Sequence, residues 1–321
     1  MSGKNVLPAC VVTLFMTLGQ AQSQPDCLPA WQGTGVQCLD QNWTNQTRDR
    51  FWFIDQGSRI MPVAWFDRLE RKGSTEKFSK GLDRYGFITD FANVELPGSS
   101  GKKRRDLPIG FAVGKHRDSG EEFVGLTCAA CHSGLIAAEG KRFMIEGAPS
   151  MVDFDLFLSE MVDAMGETLS NGDKWSRFAN GLPASGLKQA YEERLGKLRI
   201  RRTVNTPSPE AGPAGFGRVD AFGHIFNQVV FEHLRNEPKN AKDPPDAPAS
   251  YPMLWDIAQH KYVQWNYSAP NLGVGKNAPG SLVRNIGEVL GVFGEVKIER
   301  GLSIGGFTLR AWKYETSAET T

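Results

Sequence analysis

The stretch VGLTCAACHSGL, residues 124–135, contains the three residues whose types and spacing point most directly to chemistry: Cys128, Cys131 and His132. Two thiols three residues apart can each add to a vinyl group on one edge of a porphyrin, and the histidine that follows can supply a nitrogen to the iron. The spacing therefore predicts covalent attachment of one haem c, with His132 as the proximal ligand of the haem iron.

Other uses of a CxxCH segment need sequence features that this chain does not contain. A zinc site would need a second ligand pair, and the sequence has no second CxxC and no HxxxH. A thioredoxin-like motif would start a long helix, whereas AACHSGLIAAEG reaches glycine too soon. A disulfide between Cys128 and Cys131 is the remaining alternative to haem.

The N-terminus has the pattern of an export signal. Lys4 supplies a positive charge, VLPACVVTLFMTLG is an apolar core, and small residues in GQAQSQ allow cleavage after Ala21 or Ser23. We expect a signal peptide over residues 1–23 and one c-type cytochrome domain with an N-terminal extension over residues 24–321. The product would be periplasmic or secreted by a bacterium, and it would meet a membrane only through export. A retained buried segment, or a lipid anchor at Cys10, is the alternative.

Export also bears on the remaining cysteines. The chain has five, and Cys10 would leave with the signal peptide. Cys27 and Cys38 flank the loop-like LPAWQGTGVQ, and disulfides persist outside the cytosol, so we expect these two residues to pair. The alternative is two free thiols.

Charge argues against nucleic acid as a partner. Lys and Arg total 37 against 36 Asp and Glu, a net charge of +1, whereas nucleic-acid binders carry a clear basic excess. The basic cluster at residues 102–105 follows Gly and Ser and precedes a proline, which is typical of a solvated loop.

The elements around the motif are predicted to be mainly α, with cytochrome c-like haem-binding helices, long loops and few short strands such as Glu122 to Leu126. Four segments carry apolar residues at helical spacing, and Ser150 is expected to cap the first of them. The four apolar faces are Phe157, Met161, Ala164, Met165 and Leu169; Leu187, Tyr191, Leu195 and Leu198; Val219, Phe222, Phe226 and Val229; and Leu282, Ile286, Val289 and Phe293. A shorter helix is expected near Pro62 to Arg71.

The sixth ligand position decides between electron transfer and small-molecule binding. His260 lies among Trp255, Tyr262, Trp265 and Tyr267, which suits either a haem wall or ordinary core. Possible sulfur ligands are Met144, Met151 and Met253. We expect His233 to be a buried structural residue, His224 to be partly solvated or hydrogen-bonded in a loop contact, and His116 to be at the surface. The arginines that could pair with haem propionates, or be solvated, are Arg201, Arg202 and Arg284.

Several segments resemble a known family when they are taken in order: IDQGSRIMPVAWFDRLE, LPIGFAVGK, VGLTCAACHSG, GRVDAFGHIFNQV, APASYPMLWDIAQHKYVQWN and RNIGEVLGVFG. They resemble the N-terminal part of the rubber-oxygenase-A-like dihaem cytochromes, which are similar to the bacterial dihaem cytochrome c peroxidases, over residues 51–295. The resemblance implies an exported, mostly helical protein in which the first haem binds oxygen beside a tryptophan and a phenylalanine. Trp265 and Phe293 are then the candidate distal residues, with His260 as a further one.

The sequence departs from that family because it has no second CxxCH. We expect either a monohaem relative or a shortened product, and in both cases electron transfer at a single iron with a separate electron donor or acceptor protein. An oxidoreductase of peroxidase or dioxygenase type, acting on H2O2 or O2, is one extension of this prediction. A non-catalytic haem module or a fragment that needs a partner chain is the alternative.

Overall fold

A computed structural model of the chain describes residues 35–89, 107–116, 119–233, 244–263, 267, 269–271, 279–294, 296–301 and 308–314. The predicted signal peptide at residues 1–23, Cys10, Cys27, the basic cluster 102–105 and Trp265 lie outside these residues. The described part contains both helices and sheets, so the prediction of a mainly α, cytochrome c-like fold is wrong. The fold is mixed α and β.

Helices and strands are interleaved along the described chain. The helices are α1 (Asn45–Phe53), α2 (Val63–Phe66), α3 (Phe154–Ser170), α4 (Gly172–Ala179), α5 (Leu187–Val204), α6 (Ala221–Gln228) and α7 (Pro279–Gly291). The strands are β1 (Val36–Cys38), β2 (Met61–Pro62), β3 (Phe111–Lys115), β4 (Glu122–Leu126), β5 (Ser133–Ala138), β6 (Lys141–Glu146), β7 (Arg218–Val219), β8 (Ala249–Ser250), β9 (Tyr262–Val263), β10 (Ala269–Pro270), β11 (Val296–Gly301) and β12 (Thr308–Tyr314).

One three-stranded sheet, in the order β2-β4-β3, leads directly into the CxxCH segment. Its strands contain glycines because other parts of the chain approach them closely. A Cβ at Gly125 would lie 2.0 Å from the Ser58 carbonyl oxygen, and a Cβ at Gly114 would lie 1.9 Å from Asp55 Oδ2. Glycine usually indicates a loop in sequence, but here it permits close packing within a strand. The sequence therefore predicted β4 correctly but not the sheet around it.

A second sheet, in the order β1-β6-β5, follows the CxxCH segment. Strands β5 and β6 form an antiparallel hairpin that turns at Glu139 and Gly140, both with left-handed backbone (φ 51° and 72°). Two left-handed residues match the twist of a two-residue hairpin. Strand β1 adds to the outer side in parallel, with Cys38 opposite Met144. The motif thus lies between two sheets rather than within a helical layer.

Helices α3 and α5 pack against each other over the main core. The predicted inward residues of α3, Phe157, Met161 and Met165, are all buried. The prediction of Ser150 as the cap is wrong: Asp153 caps α3, and its side chain accepts from the Leu156 N–H at 2.9 Å. An aspartate one residue before the first helical residue is well placed to satisfy those unpaired N–H groups. Of the predicted residues of α5, Tyr191, Leu195 and Leu198 are buried.

Helix α6 differs most from its predicted orientation. Phe226, expected on the apolar face, is 62% exposed, whereas His224 and Gln228 are buried. A π-helical turn at residues 229–233 continues the helix and changes the register of the residues that follow. Helix α2 is also shorter than the predicted helix over residues 62–71: its last residue is Phe66, and Asp67 is its C-cap.

The end of helix α7 is tied to the N-terminal part of the chain. Gly294 pairs with Ser58 in an isolated β-bridge, and the Arg59 N–H donates to the Phe293 carbonyl oxygen at 2.7 Å. The Ser58 hydroxyl donates to the Val292 carbonyl oxygen at 2.8 Å and accepts from the Leu126 N–H at 3.1 Å. One serine therefore connects α7 to β4, the strand that precedes the motif. Among the described residues, no helix is long and apolar enough to cross a bilayer.

Candidate functional site

The CxxCH segment forms a tight turn between β4 and β5. Residues Cys128–Ala130 are one 3-10 turn, capped by Thr127, whose side chain accepts from the Ala129 N–H at 3.2 Å. The His132 N–H donates to the Cys128 carbonyl oxygen at 3.0 Å, which closes the turn. This turn brings both thiols and the imidazole together over five residues.

Gln56 holds the first cysteine of the motif. The Cys128 N–H donates to Gln56 Oε1 at 2.9 Å, and the same side chain hydrogen-bonds the Cys128 thiol. Gln56 lies in the segment between α1 and β2, which also carries Ser58. The segment that anchors α7 therefore also positions Cys128.

The two cysteines are free thiols rather than a disulfide. Burial raises the pKa of the Cys128 thiol, and burial together with the charge of Cys128 raises the pKa of the Cys131 thiol to about 12. Cysteines that attack disulfides or bind zinc work as thiolates and have lowered pKa values. Both residues are therefore neutral at pH 7, unlike the reactive cysteine of a thioredoxin-like site.

His132 is held in one orientation by a backbone carbonyl. Its Nδ1 lies 2.8 Å from the carbonyl oxygen of Pro252. Because a carbonyl oxygen only accepts, Nδ1 carries the proton and the lone pair lies on Nε2. Burial lowers the pKa of His132, so the ring is neutral at pH 7. A neutral, oriented imidazole with a basic Nε2 is the form in which histidine binds metals.

The segment 251–255 carries Pro252 and is fastened to the end of β6. The Leu254 N–H donates to the Gly147 carbonyl oxygen at 2.9 Å, and the Trp255 indole N–H donates to the Glu146 carbonyl oxygen at 2.8 Å. The Gly147 N–H in turn donates to the His132 carbonyl oxygen at 2.9 Å. His132 is therefore held between the start of β5, the end of β6 and this segment.

Tyr251 closes the site beside both His132 and Cys131. Its ring meets the His132 ring edge to face with centroids 6.4 Å apart, and its hydroxyl donates to the Val152 carbonyl oxygen at 3.1 Å. The hydroxyl also hydrogen-bonds the Cys131 thiol. Burial raises the pKa of Tyr251 well above its ordinary value, so the phenol stays protonated.

Helix α7 carries a carboxyl group, Glu288, whose charge acts on the two thiols. Glu288 lies near enough to Cys128 and Cys131 that its charge raises the pKa of both. Burial raises the pKa of Glu288, and Arg284 one turn earlier on α7 opposes this shift. Arg284 donates to Asn271 Oδ1 at 2.6 Å, which fixes the guanidinium against the loop before α7.

Of the three predicted distal residues, Phe293 and His260 are among the described residues. Phe293 is buried in the main core, where its ring lies 5.9 Å from that of Phe154 and 3.9 Å from the Arg201 guanidinium. His260 is exposed, with its ring 6.4 Å from that of Tyr267. Trp265 lies outside the described residues.

The other methionines and histidines considered as haem ligands differ in burial. Met144 is fully buried in a smaller core cluster that also contains Cys38 and Trp52, whereas Met151 and Met253 are exposed. His224, expected to be partly solvated or hydrogen-bonded in a loop contact, is buried, and its Nε2 lies 3.2 Å from Asp155 Oδ1. It is buried because α6 turns a different face to the core than the one predicted. His116 is half-buried, and the side chain of His233 lies outside the described residues.

The arginines proposed for propionates have different surroundings. Arg202 pairs with Asp163 at 2.7 Å, and the guanidinium of Arg201 donates to the Gly291 carbonyl oxygen. Arg284 is the one of the three that shares its surroundings with the motif, through Glu288.

Only Cys38 of the predicted disulfide between Cys27 and Cys38 lies among the described residues. Cys38 is disulfide-bonded, and its partner lies outside the described residues, where Cys10 and Cys27 both lie. The pairing of Cys27 with Cys38 stays a prediction.

Sequence reasoning missed Gln56, Tyr251, Pro252 and Glu288. Pro252 acts through its backbone carbonyl, which no side-chain pattern reveals. Glu288 gave a detectable signal, because it is a single acidic residue in the otherwise apolar NIGEVLGVFG.

Comparisons with known proteins add one relative. No family model and no solved structure matches the chain. The chain is 31% identical over 288 residues to an uncharacterized protein, y4iJ, of Sinorhizobium fredii (strain NBRC 101917 / NGR234). The match covers 80% of this chain and 44% of the relative. The chain therefore spans less than half the length of the relative that it resembles.

Proposed function

We propose that this chain is an exported c-type cytochrome that carries one haem, bound through thioethers at Cys128 and Cys131 with His132 as the proximal ligand, and that it transfers electrons at that single iron. The observation that carries the proposal is the hydrogen bond from His132 Nδ1 to the Pro252 carbonyl oxygen. It leaves the Nε2 lone pair for a metal, and the two free thiols lie in the same turn.

The chemistry of Cys128, Cys131 and His132 fits a covalently attached haem. Thioether formation needs thiols that are not bonded to each other, and Cys128 and Cys131 meet this requirement. The proximal position needs a neutral imidazole with an outer-shell acceptor on its other nitrogen, and His132 has one. Export rests on the sequence pattern of residues 1–23, and it matches the compartment in which such haem is attached.

The chain's own residues have defined roles in this proposal. A bound haem would supply an iron that cycles between the ferric and ferrous states. The Pro252 carbonyl raises the basicity of His132 and fixes its ring orientation. Tyr251 and the turn at Cys128–Ala130 exclude water from the side of the histidine that faces the protein. Gln56 and the strands on either side hold the two sulfur atoms in place.

The resemblance to the rubber-oxygenase-A-like cytochromes extends the proposal. It adds an oxidoreductase of peroxidase or dioxygenase type that acts on H2O2 or O2 and exchanges electrons with a separate protein. The whole-length activity of such relatives is part of the proposal only, since the chain spans 44% of the relative y4iJ.

The test is a pyridine haemochrome spectrum of the chain exported in a host that can mature c-type cytochromes. We expect one covalent haem per chain, and none in the double variant C128S/C131S. H132A should lose the native haem spectrum, whereas H260A, which alters an exposed histidine, should keep it. Absence of covalent haem from the unaltered chain would overturn the proposal.

Carbon monoxide added to the reduced chain separates the two kinds of activity. A haem that does not bind it has two protein ligands and is an electron carrier. A haem that binds it has an open distal face, which supports the peroxidase or dioxygenase extension.

A further inference from the structure

Glu288, on helix α7, is a half-buried carboxyl group without a compensating partner. It forms no hydrogen bond or ion pair with any residue that the structure describes. Arg284, one turn earlier on α7, donates instead to Asn271 Oδ1 at 2.6 Å. A carboxylate that has lost water and gained no donor is costly to ionise, and burial accordingly raises the pKa of Glu288.

The contacts of α7 bring this carboxyl group to the CxxCH turn. The Ser58 hydroxyl bridges the end of α7 and the end of β4, with hydrogen bonds of 2.8 and 3.1 Å. Gln56, two residues earlier, accepts from the Cys128 N–H at 2.9 Å. The charge of Glu288 acts on both thiols of the turn. It would also act on an iron held beside those sulfur atoms, because Coulomb interactions weaken only in proportion to distance.

The other charged groups described on the elements around α7 are already paired or stay neutral. The paired ones are Asp55 with Arg59 at 2.6 Å, His224 beside Asp155 at 3.2 Å, and Arg201 with the Gly291 carbonyl oxygen. Burial keeps the thiols of Cys128 and Cys131 and the phenol of Tyr251 protonated at pH 7. Among these described groups, Glu288 is the one whose protonation can follow a change of charge at the motif.

We propose that Glu288 couples electron transfer at the haem to the transfer of a proton. Glu288 takes up one proton from solvent when the iron receives one electron from the donor protein, and it releases that proton when the electron is passed on. Reduction lowers the charge of the iron by one, so a nearby carboxylate becomes less favourable and its protonated form more favourable. The net charge of the site is then the same in both oxidation states. This inference rests on the proposed function.

Arg284 sets the pH range in which the coupling operates. Its positive charge favours the ionised form of Glu288 and opposes the effect of burial. The pKa of Glu288 is lower beside ferric iron than beside ferrous iron, and the reduction potential falls with rising pH only between these two values. Below both values Glu288 keeps its proton throughout, and above both it has none, so the potential is constant there.

The test is a spectroelectrochemical titration of the haem-loaded full chain over a range of pH. At a fixed solution potential, the ratio of ferrous to ferric haem should fall at least about threefold from acid to alkaline pH, since unit charges roughly 10 Å apart in a protein have an effect of this size. E288Q cannot ionise, so its ratio should stay constant and equal that of the unaltered chain at acid pH. E139Q, at an exposed hairpin residue, is the control and should behave like the unaltered chain.

A second variant tests the same coupling without altering the carboxyl group. R284Q removes the charge that favours ionised Glu288, so the pH dependence should persist but move to higher pH. A pH range that does not move in R284Q would overturn the part assigned to Arg284. A haem-loaded unaltered chain without pH dependence, or a haem-loaded E288Q that keeps it, would overturn this inference alone. A chain that carries no covalent haem would overturn the proposed function and this inference together.

Discussion

At the residue scale, sequence spacing identifies the three residues of the motif but not the contact that orients the histidine. Cys128, Cys131 and His132 were identified because their types and intervals are themselves the signal. The orientation of His132 depends on a carbonyl oxygen of Pro252, 120 residues further along the chain. Any residue supplies a carbonyl, so only the path of the backbone reveals which one accepts this hydrogen bond.

The Glu288 carboxyl should slow the reaction of the two thiols with alkylating agents. Its charge adds to burial in raising the pKa of Cys131, so E288Q is expected to lower that pKa. We expect faster iodoacetamide labelling of Cys131 at alkaline pH in chain made without haem maturation. Mass spectrometry of the labelled peptide gives the rate. E139Q, at an exposed hairpin residue, is the control, and equal rates in E288Q and E139Q would show that Glu288 does not act on the thiols.

At the scale of elements, glycine has opposite effects in strand β4 and helix α5. A methyl at Gly125 would lie 2.0 Å from the Ser58 carbonyl oxygen, whereas one at Gly196 meets nothing within 4 Å. We expect G125A to destabilise the fold by more than about 2 kcal/mol, because the strand must move away from its neighbour. We expect G196A to stabilise it by about 0.5–1 kcal/mol, because alanine loses less backbone entropy in a helix. Urea unfolding of both variants measures the difference, and similar midpoints would contradict the packing described.

An ion pair joins the segment after α2 to helix α4. Arg177 Nε and Nη2 donate to the two carboxylate oxygens of Glu70, at 3.0 and 2.8 Å, and the pKa of Glu70 is lowered mainly by this hydrogen bonding. A lowered carboxyl pKa stabilises the fold above the unfolded pKa of about 4.3, and the contribution is lost as pH falls through the folded value.

E70Q should therefore cost about 1 kcal/mol near pH 7, and the difference from the unaltered chain should shrink below about pH 4.3. Urea unfolding at several pH values measures it. E76Q is the matched control, since the Glu76 side chain is 53% exposed in its pair with Arg71 and should change stability little. A cost for E70Q that stays constant down to pH 3 would exclude this linkage.

The elements also show where sequence patterns succeed. Helices α3 and α5 were predicted because their apolar residues recur at helical spacing and the core they cover is apolar. The buried face of helix α6 was predicted wrongly because its buried residues, His224 and Gln228, are polar. Hydrophobic spacing therefore selected the exposed face, which carries Phe226. Strand β3 was missed because Gly114 lies inside it, where it allows the close approach of Asp55.

At the scale of the whole molecule, the fold depends on contacts between distant parts of the chain. Ser58 bonds the Val292 carbonyl oxygen, a residue 234 positions away, and also the Leu126 N–H next to the motif. Contacts of this separation leave no local signature, so the sequence could not show which helix would face Cys128 and Cys131. These long-range contacts hold the helices and sheets of the mixed fold together, and no single segment of the sequence reveals them.

S58A should loosen α7 from the rest of the fold. It leaves the buried Leu126 N–H and the Val292 carbonyl oxygen without their partner, at a cost of about 1–3 kcal/mol. We expect faster amide hydrogen exchange in residues 279–294 with little change in α3. S119A alters an exposed hydroxyl and should leave exchange unchanged. Unaltered exchange in residues 279–294 of S58A would mean that α7 is held by other contacts.

The position of Pro252 also fixes an order of assembly. Both thiols and the imidazole emerge early in synthesis, whereas the carbonyl that orients His132 emerges 120 residues later. The turn at Cys128–Ala130 closes through contacts among neighbouring residues, and such local contacts form before distant ones. We therefore expect the two sulfur atoms to come together while the imidazole can still rotate, and closure of segment 251–255 to complete the site.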